Sequence, residues 1–217
     1  MSFTLDTFNY VGSRTSFRYN EETLSALPCG LFRSTASEGA ELIPELAGLL
    51  NSCPVKDLDA YEFDVKIHML MPGQYPCVPN WHCDNVPRDV NRKLAYNEAK
   101  LREEPPMLLW VSNGPHTEFL ARPAYMARAP KDHGEVADFV NSLKESVGDD
   151  IAVTRFLPAQ QWVSFSSTAP HRGRASDQHQ WRVFVRATHK SVLPVRPKVH
   201  LLRRHCQVYL DSAKFSW

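Results

Sequence analysis

The chain has 217 residues, 43% of them hydrophobic, with 25 basic and 24 acidic side chains giving a net charge of +1. That length allows a substantial core, most simply as one domain over 1–217, and the balanced charge argues against broad electrostatic capture of nucleic acid. No apolar run approaches the ~20 residues that span a bilayer. The opening MSFTLDTFNYVGSR lacks the basic-then-apolar order of a signal peptide, and five cysteines without a CxxC spacing fit a reduced compartment, so the expected location is cytoplasmic.

In chain order, Thr35-Ala36-Ser37-Glu38 has the form of a capping box, and Leu42, Ile43, Leu46, Leu49 and Leu50 follow at helical spacing. Tyr61–Met71 alternates: Phe63, Val65, Ile67, Met69 and Met71 point one way and Asp64, Lys66 and His68 the other, which predicts a strand. A loop-rich passage, PGQYPCVPNWHCDNVPR, comes next. Residues 90–104 are rich in helix formers but weakly apolar, and Pro105-Pro106 stops them. Short strand-like runs occupy 107–112, 117–121, 151–157, 161–167, 181–188 and 205–210. Between them, residues 133–147 place Val136, Phe139, Val140 and Leu143 on one helical face. Many short strands with a few surface helices predict a mainly β barrel or sandwich of the jelly-roll or cupin-like kind. No GxGxxG or P-loop supports a doubly wound alternative. The basic run from Arg196 to Arg204 reads as a solvated tail rather than a nucleic-acid contact.

Most of the nine histidines have bland readings. His82 and Asp84 do not. In extended backbone, residues i and i+2 project from one face, so this imidazole and this carboxylate can approach one ion while Cys83 points away. Together they form a mixed nitrogen and oxygen donor set suited to Fe(II) and other borderline divalent metals. A third ligand is available in His171, just after the apolar strand Gln161–Ser167, if the barrel folds the two strand ends together. Arg182, Phe184 and Arg186 share one face of the strand WRVFVRAT, with Val183 and Val185 on the other. An arginine inside a small barrel is costly unless a carboxylate meets it, and a dicarboxylate chelating a metal would supply one.

These pieces, in this order, resemble the Fe(II)/2-oxoglutarate-dependent dioxygenases. They are the HxD at His82–Asp84, a central MLLWVSNGPHTEFL with its Thr-x-Phe, FLPAQQWVSFSSTAPHRG leading to His171, and Arg182 in the next strand. The resemblance covers about residues 61–190 and implies a double-stranded β-helix with N-terminal and C-terminal extensions. It implies Fe(II) held by His82, Asp84 and His171, with O2 as cosubstrate and 2-oxoglutarate bound through Arg182, and it places Thr117 near the cosubstrate. Arg186 fits the same face, so the anchoring arginine is not uniquely fixed. The implied reaction oxidises a C–H bond while 2-oxoglutarate and O2 become succinate and CO2. It also makes the insertion 86–104 a candidate lid.

A small molecule, amino acid or peptide is the favoured substrate, with nucleobase oxidation as the alternative. Two other classes compete: a cupin-like metal isomerase or hydrolase, and a non-catalytic β-barrel binding protein. No membrane association is expected, and the oligomeric state is not legible.

Overall fold

The computed structural model describes residues 2–15, 20–27, 30–114, 116–147, 152–193 and 209–210. The expectations for the tail between Arg196 and Arg204, and for most of the 205–210 run, fall outside the described residues. The chain forms β1 (Phe3–Leu5), β2 (Phe8–Arg14), α1 (Glu21–Ala26), β3 (Gly30–Ser34), α2 (Ala36–Leu42), α3 (Ala47–Asn51) and β4 (Tyr61–Leu70). After the long loop come α4 (Glu98–Glu103), β5 (Met107–Val111), β6 (Thr117–Leu120), β7 (Ala124–Met126) and α5 (His133–Val147). The chain continues through β8 (Thr154–Phe156), β9 (Gln161–Phe165), β10 (His171–Gly173) and β11 (Gln180–His189).

The protein is mainly β, with antiparallel sheets. A six-stranded sheet runs β2-β9-β5-β11-β4-β3, a three-stranded sheet runs β10-β6-β8, and β1 pairs with β7. Side-chain period 2 divides each strand of the large sheet between two environments. Outward, Phe63, Val65 and Ile67 of β4, Trp110 of β5, Trp162 of β9 and Val183 and Val185 of β11 pack beneath Leu24, Ile43, Leu46, Leu49 and Leu50 of the N-terminal helices. Inward, Leu109 and Val111 of β5 and Val163 and Phe165 of β9 meet Phe119 of the small sheet. A third cluster, including Leu5, Trp81, Tyr96, Leu101, Leu120, Val136 and Val140, joins α4 and α5 to the far side of the small sheet. The order of layers is therefore helices, large sheet, inner core, small sheet and helices, the arrangement of a β-sandwich.

Several local expectations hold. Thr35 accepts from the Glu38 amide while the Glu38 side chain accepts from the Thr35 amide, completing the capping box. The helical run after it is broken, however. Pro44 forces Ile43 to φ −137° and ψ 88°, so a single 3₁₀ turn separates α2 from α3. The helix expected over 90–104 shrinks to Glu98–Glu103. Ahead of it, Asp89 accepts from the amides of Asn91 and Lys93, and Arg92 takes a left-handed φ of 62°, which closes a tight turn instead. Met69 and Met71 are exposed rather than packed with Phe63, Val65 and Ile67.

The polar face of β4 turns inward. Asp64, Lys66 and His68 are all buried, on the side facing the small sheet. Together with the inner faces of β3 and β11, Asp64 and Lys66 help to enclose a cavity of about 400 Å3 at one end of the inner core.

Candidate metal centre

His82, Asp84 and His171 converge on the wall of this cavity. Each offers one ligand atom, and the three atoms lie within 4.8 Å of one another. Among the described residues, this is the one group of His, Cys, Asp or Glu side chains so gathered. The convergence has a backbone cause. The His82 amide donates to the His171 carbonyl at 3.0 Å, and the His171 amide donates back to His82 at 2.9 Å. This is a hydrogen-bonded antiparallel pair, and residues directly opposite in such a pair project from the same face. The two imidazoles thus meet because the loop after β4 adds one strand-like contact to the edge of β10.

The tautomers follow from the partners. A carbonyl oxygen can only accept, so His82 Nδ1 donates to Asn80 at 2.9 Å and His171 Nδ1 donates to Ala169 at 3.2 Å. In both rings the Nε2 position remains for an ion, oriented by a backbone carbonyl two residues earlier. Burial, reinforced by the neighbouring His171, pulls the His82 pKa down to about 4, so this imidazole is neutral near pH 7. His171 is further fixed by stacking on Phe119, with ring centroids 4.9 Å apart.

Asp84 completes the set. Its Oδ1 lies 3.8 Å from His82 Nε2 and its Oδ2 lies 3.5 Å from His171 Nε2. Ligand bonds of about 2.0–2.2 Å at tetrahedral or octahedral angles place donors roughly 3–3.5 Å apart, so a small closure of these side chains would seat an ion. Burial would raise the Asp84 pKa, but Arg186, then His171 and His82, outweigh it and hold the carboxyl well below the usual range. The group therefore offers two imidazole nitrogens and one ionised oxygen.

The two arginines of β11 have separate surroundings. Arg182 is 1% exposed, and its Nη2 donates to Thr117 Oγ1 at 3.2 Å, so Arg182 and Thr117 form one corner of the cavity. Arg186 donates through Nη1 to Asp84 at 2.5 Å and through Nη2 to Asp64 at 2.7 Å. Both arginines face inward with Phe184, as the strand's periodicity predicted.

Further polar residues of the cavity were missed by the sequence reading. Lys66 Nζ donates to the Pro76 carbonyl at 2.9 Å. Arg33 grips Asp64 through Nε at 2.5 Å and Nη2 at 2.7 Å. Cys77 also lines the wall, and burial pushes its thiol up to about 11. For Lys66 and Asp64, the available signal was their place on the polar face of an otherwise apolar strand. The lining side chains include four cationic groups, Arg33, Lys66, Arg182 and Arg186, against two carboxylates, Asp64 and Asp84.

Aromatic and amide neighbours of these residues in sequence stand elsewhere. Trp81 is core, Tyr75 pairs with Tyr209, and Asn85 donates to the Met107 sulfur, none of the three lining the cavity. Asn113 donates to the Trp181 carbonyl. No residue of the 86–104 insertion lines the cavity, and Val86, Tyr96 and Leu101 pack into the core cluster beside α5. No helix of the described residues is long and apolar enough to cross a membrane. Comparison of the chain with family models, curated proteins and solved structures gave no match.

Proposed function

We propose that this protein is an Fe(II)- and 2-oxoglutarate-dependent dioxygenase on a double-stranded β-helix. In this reading it oxidises a C–H bond of a small-molecule, amino-acid or peptide substrate. The observation that carries the reading is the meeting of His82, Asp84 and His171 in a cavity that also holds Arg182. The two facing antiparallel sheets, with the cavity between their inner faces, support the architecture.

The donor set fits the metal. Two imidazole Nε2 atoms and one carboxylate oxygen occupy one side of an ion and leave its remaining positions open. The corner formed by Arg182 and Thr117 fits the distal carboxylate of a keto diacid, because a guanidinium and a hydroxyl both donate to carboxylate oxygens. The excess of cationic over acidic lining side chains favours a dianion. When bound, iron and 2-oxoglutarate would supply O2 activation, with succinate and CO2 as coproducts.

The protein's own part is orientation and exclusion. The Nδ1–H···O=C bonds hold both rings edge-on to the ion site, and Arg182 would fix the far end of the cosubstrate. Leu109, Phe165 and Phe184 form apolar wall that keeps water from the reacting face.

Succinate formation from 2-oxoglutarate, with Fe(II), ascorbate and air, tests the reading. Wild-type protein should turn over slowly without a substrate, and His82→Ala and His171→Ala should abolish that turnover. Arg182→Ala should raise the KM for 2-oxoglutarate by about 10–100-fold, the loss of a charged hydrogen-bonded contact worth roughly 1.5–3 kcal/mol. Succinate formation that survives His171→Ala would overturn the assignment.

A further inference from the structure

The cavity wall contains an ordered series of charges that the ligand set does not require. Arg33 of β3, Asp64 of β4 and Arg186 of β11 stand directly opposite one another across three neighbouring strands. Cross-strand partners share a face, so the three side chains form one rung on the cavity side of the large sheet. Arg33 holds both Asp64 oxygens. Asp64 Oδ2 also accepts from Arg186 Nη2 at 2.7 Å, and Arg186 Nη1 reaches Asp84 Oδ2 at 2.5 Å. Along the series the charges alternate, cation, anion, cation, anion, ending at the carboxylate of the metal centre.

We propose that Arg186 is a positioning residue that occupies one oxygen of Asp84, so that this carboxylate serves a metal through a single oxygen, and that Arg33 and Asp64 hold Arg186 in place to do so. The inference rests on the metal-centre reading of His82, Asp84 and His171 and adds residues to it. The two oxygens of the carboxylate differ: Oδ2 takes the guanidinium while also lying 3.5 Å from His171 Nε2, and Oδ1, 3.8 Å from His82 Nε2, is the oxygen left for an ion. A carboxylate free to rotate can chelate through both oxygens and use up a coordination position. One whose second oxygen is committed to a half-buried guanidinium is held from doing so. Arginine suits the task because its two terminal nitrogens reach different carboxylates at once, whereas a lysine ammonium is a single point of charge. The rung also brings β3, from the N-terminal extension, into the metal centre through Arg33.

Metal affinity alone is a poor readout. Removing Arg186 deletes a positive charge beside a dication, which strengthens binding, and frees the carboxylate, which weakens it. The number of oxygens that Asp84 contributes is the direct readout. The full chain would be loaded with Co(II), and its visible ligand-field absorption compared among wild type, Arg186→Gln, Arg186→Lys and Arg33→Gln, with circular dichroism to confirm folding. In Arg186→Gln the second Asp84 oxygen should join the ion, raising the coordination number and reducing the absorption. Arg186→Lys should restore part of the wild-type intensity. Arg33→Gln lets Asp64 draw Arg186 away from Asp84, so it should shift the spectrum in the same direction by less. If Arg186→Gln fails to fold, Arg33→Gln, at the edge of the sheet, carries the test. A wild-type spectrum in the folded arginine variants, with Co(II) binding lost in His171→Ala, would overturn the positioning role and leave the metal centre standing. Absence of Co(II) binding by the wild-type protein would remove both.

Discussion

Gly173 shows how closely the candidate metal centre is packed. A methyl group built at this position would lie 2.4 Å from the Cys77 carbonyl oxygen, because the Gly173 amide donates to Val78 at 2.7 Å and draws the two backbones together. Gly173→Ala must push residues 77–78 outward, and those residues line the cavity four positions before His82. The expected cost is about 1–3 kcal/mol of stability, as for other overpacked sites, together with weaker metal binding. Thermal denaturation and a Mn(II) titration check the two effects separately. At the same scale, the candidate ligand pair at 82 and 84 was legible because one residue between two donors has a fixed geometric meaning in extended chain. Arg33 was not legible, since nothing local distinguishes an arginine on an edge strand that points inward from one that points to solvent.

Among the elements, β6 and β10 bear the load behind the two histidines. Glu118 of β6 lies opposite Arg172 of β10 on the face away from the cavity. It accepts from Arg172 at 2.7 Å, Lys144 at 3.1 Å, Thr154 at 2.5 Å and Arg174 at 3.4 Å. Arg172 and Lys144 also lie over the indole of Trp81, at 4.8 Å and 5.5 Å from its centre, next to His82 in sequence. Burial would raise the Glu118 pKa, yet the Thr154 hydroxyl, Arg172 and Lys144 outweigh it and leave the carboxyl below its ordinary 4.5. A carboxyl lowered by folding contributes stability that is fully present above the ordinary value and is lost as pH falls through the folded value. Glu118→Gln should therefore cost about 2–3 kcal/mol near neutrality, less than a fully buried pair because its cations reach solvent. The difference from wild type should narrow as pH falls below the ordinary 4.5 and through the lower folded value, in urea titrations across pH. The elements themselves were legible where apolar period was strong, as in β4, β5, β9, β11 and α5. Three of the missed strands, β1, β7 and β10, span only three residues each, too few for a period to declare itself. The alternation in β4 revealed two faces, but not that the polar one would line a cavity. The apolar face is taken by the N-terminal helices, a tertiary fact that no local pattern carries.

For the whole molecule, the candidate metal centre joins parts far apart in the chain: the loop after β4 brings His82 and Asp84, and β10 brings His171. An ion bound only by the folded arrangement stabilises it by mass action, about 2.7 kcal/mol at a hundredfold excess over Kd. In a chain of this size each kcal/mol raises Tm by roughly 2–4 °C, so saturating Mn(II) should raise Tm by about 5–10 °C. The shift should vanish in His82→Ala and His171→Ala. A shift of equal size in those variants would mean that the ion binds elsewhere.

The reciprocal pair of backbone bonds between His82 and His171 makes the fate of the two ligands a shared one. Neither amide proton can reach solvent without separating the same two chain segments, so deuterium exchange at both should depend on one common opening rate. A bound ion should slow that rate for both amides together, because releasing either ring requires the same opening.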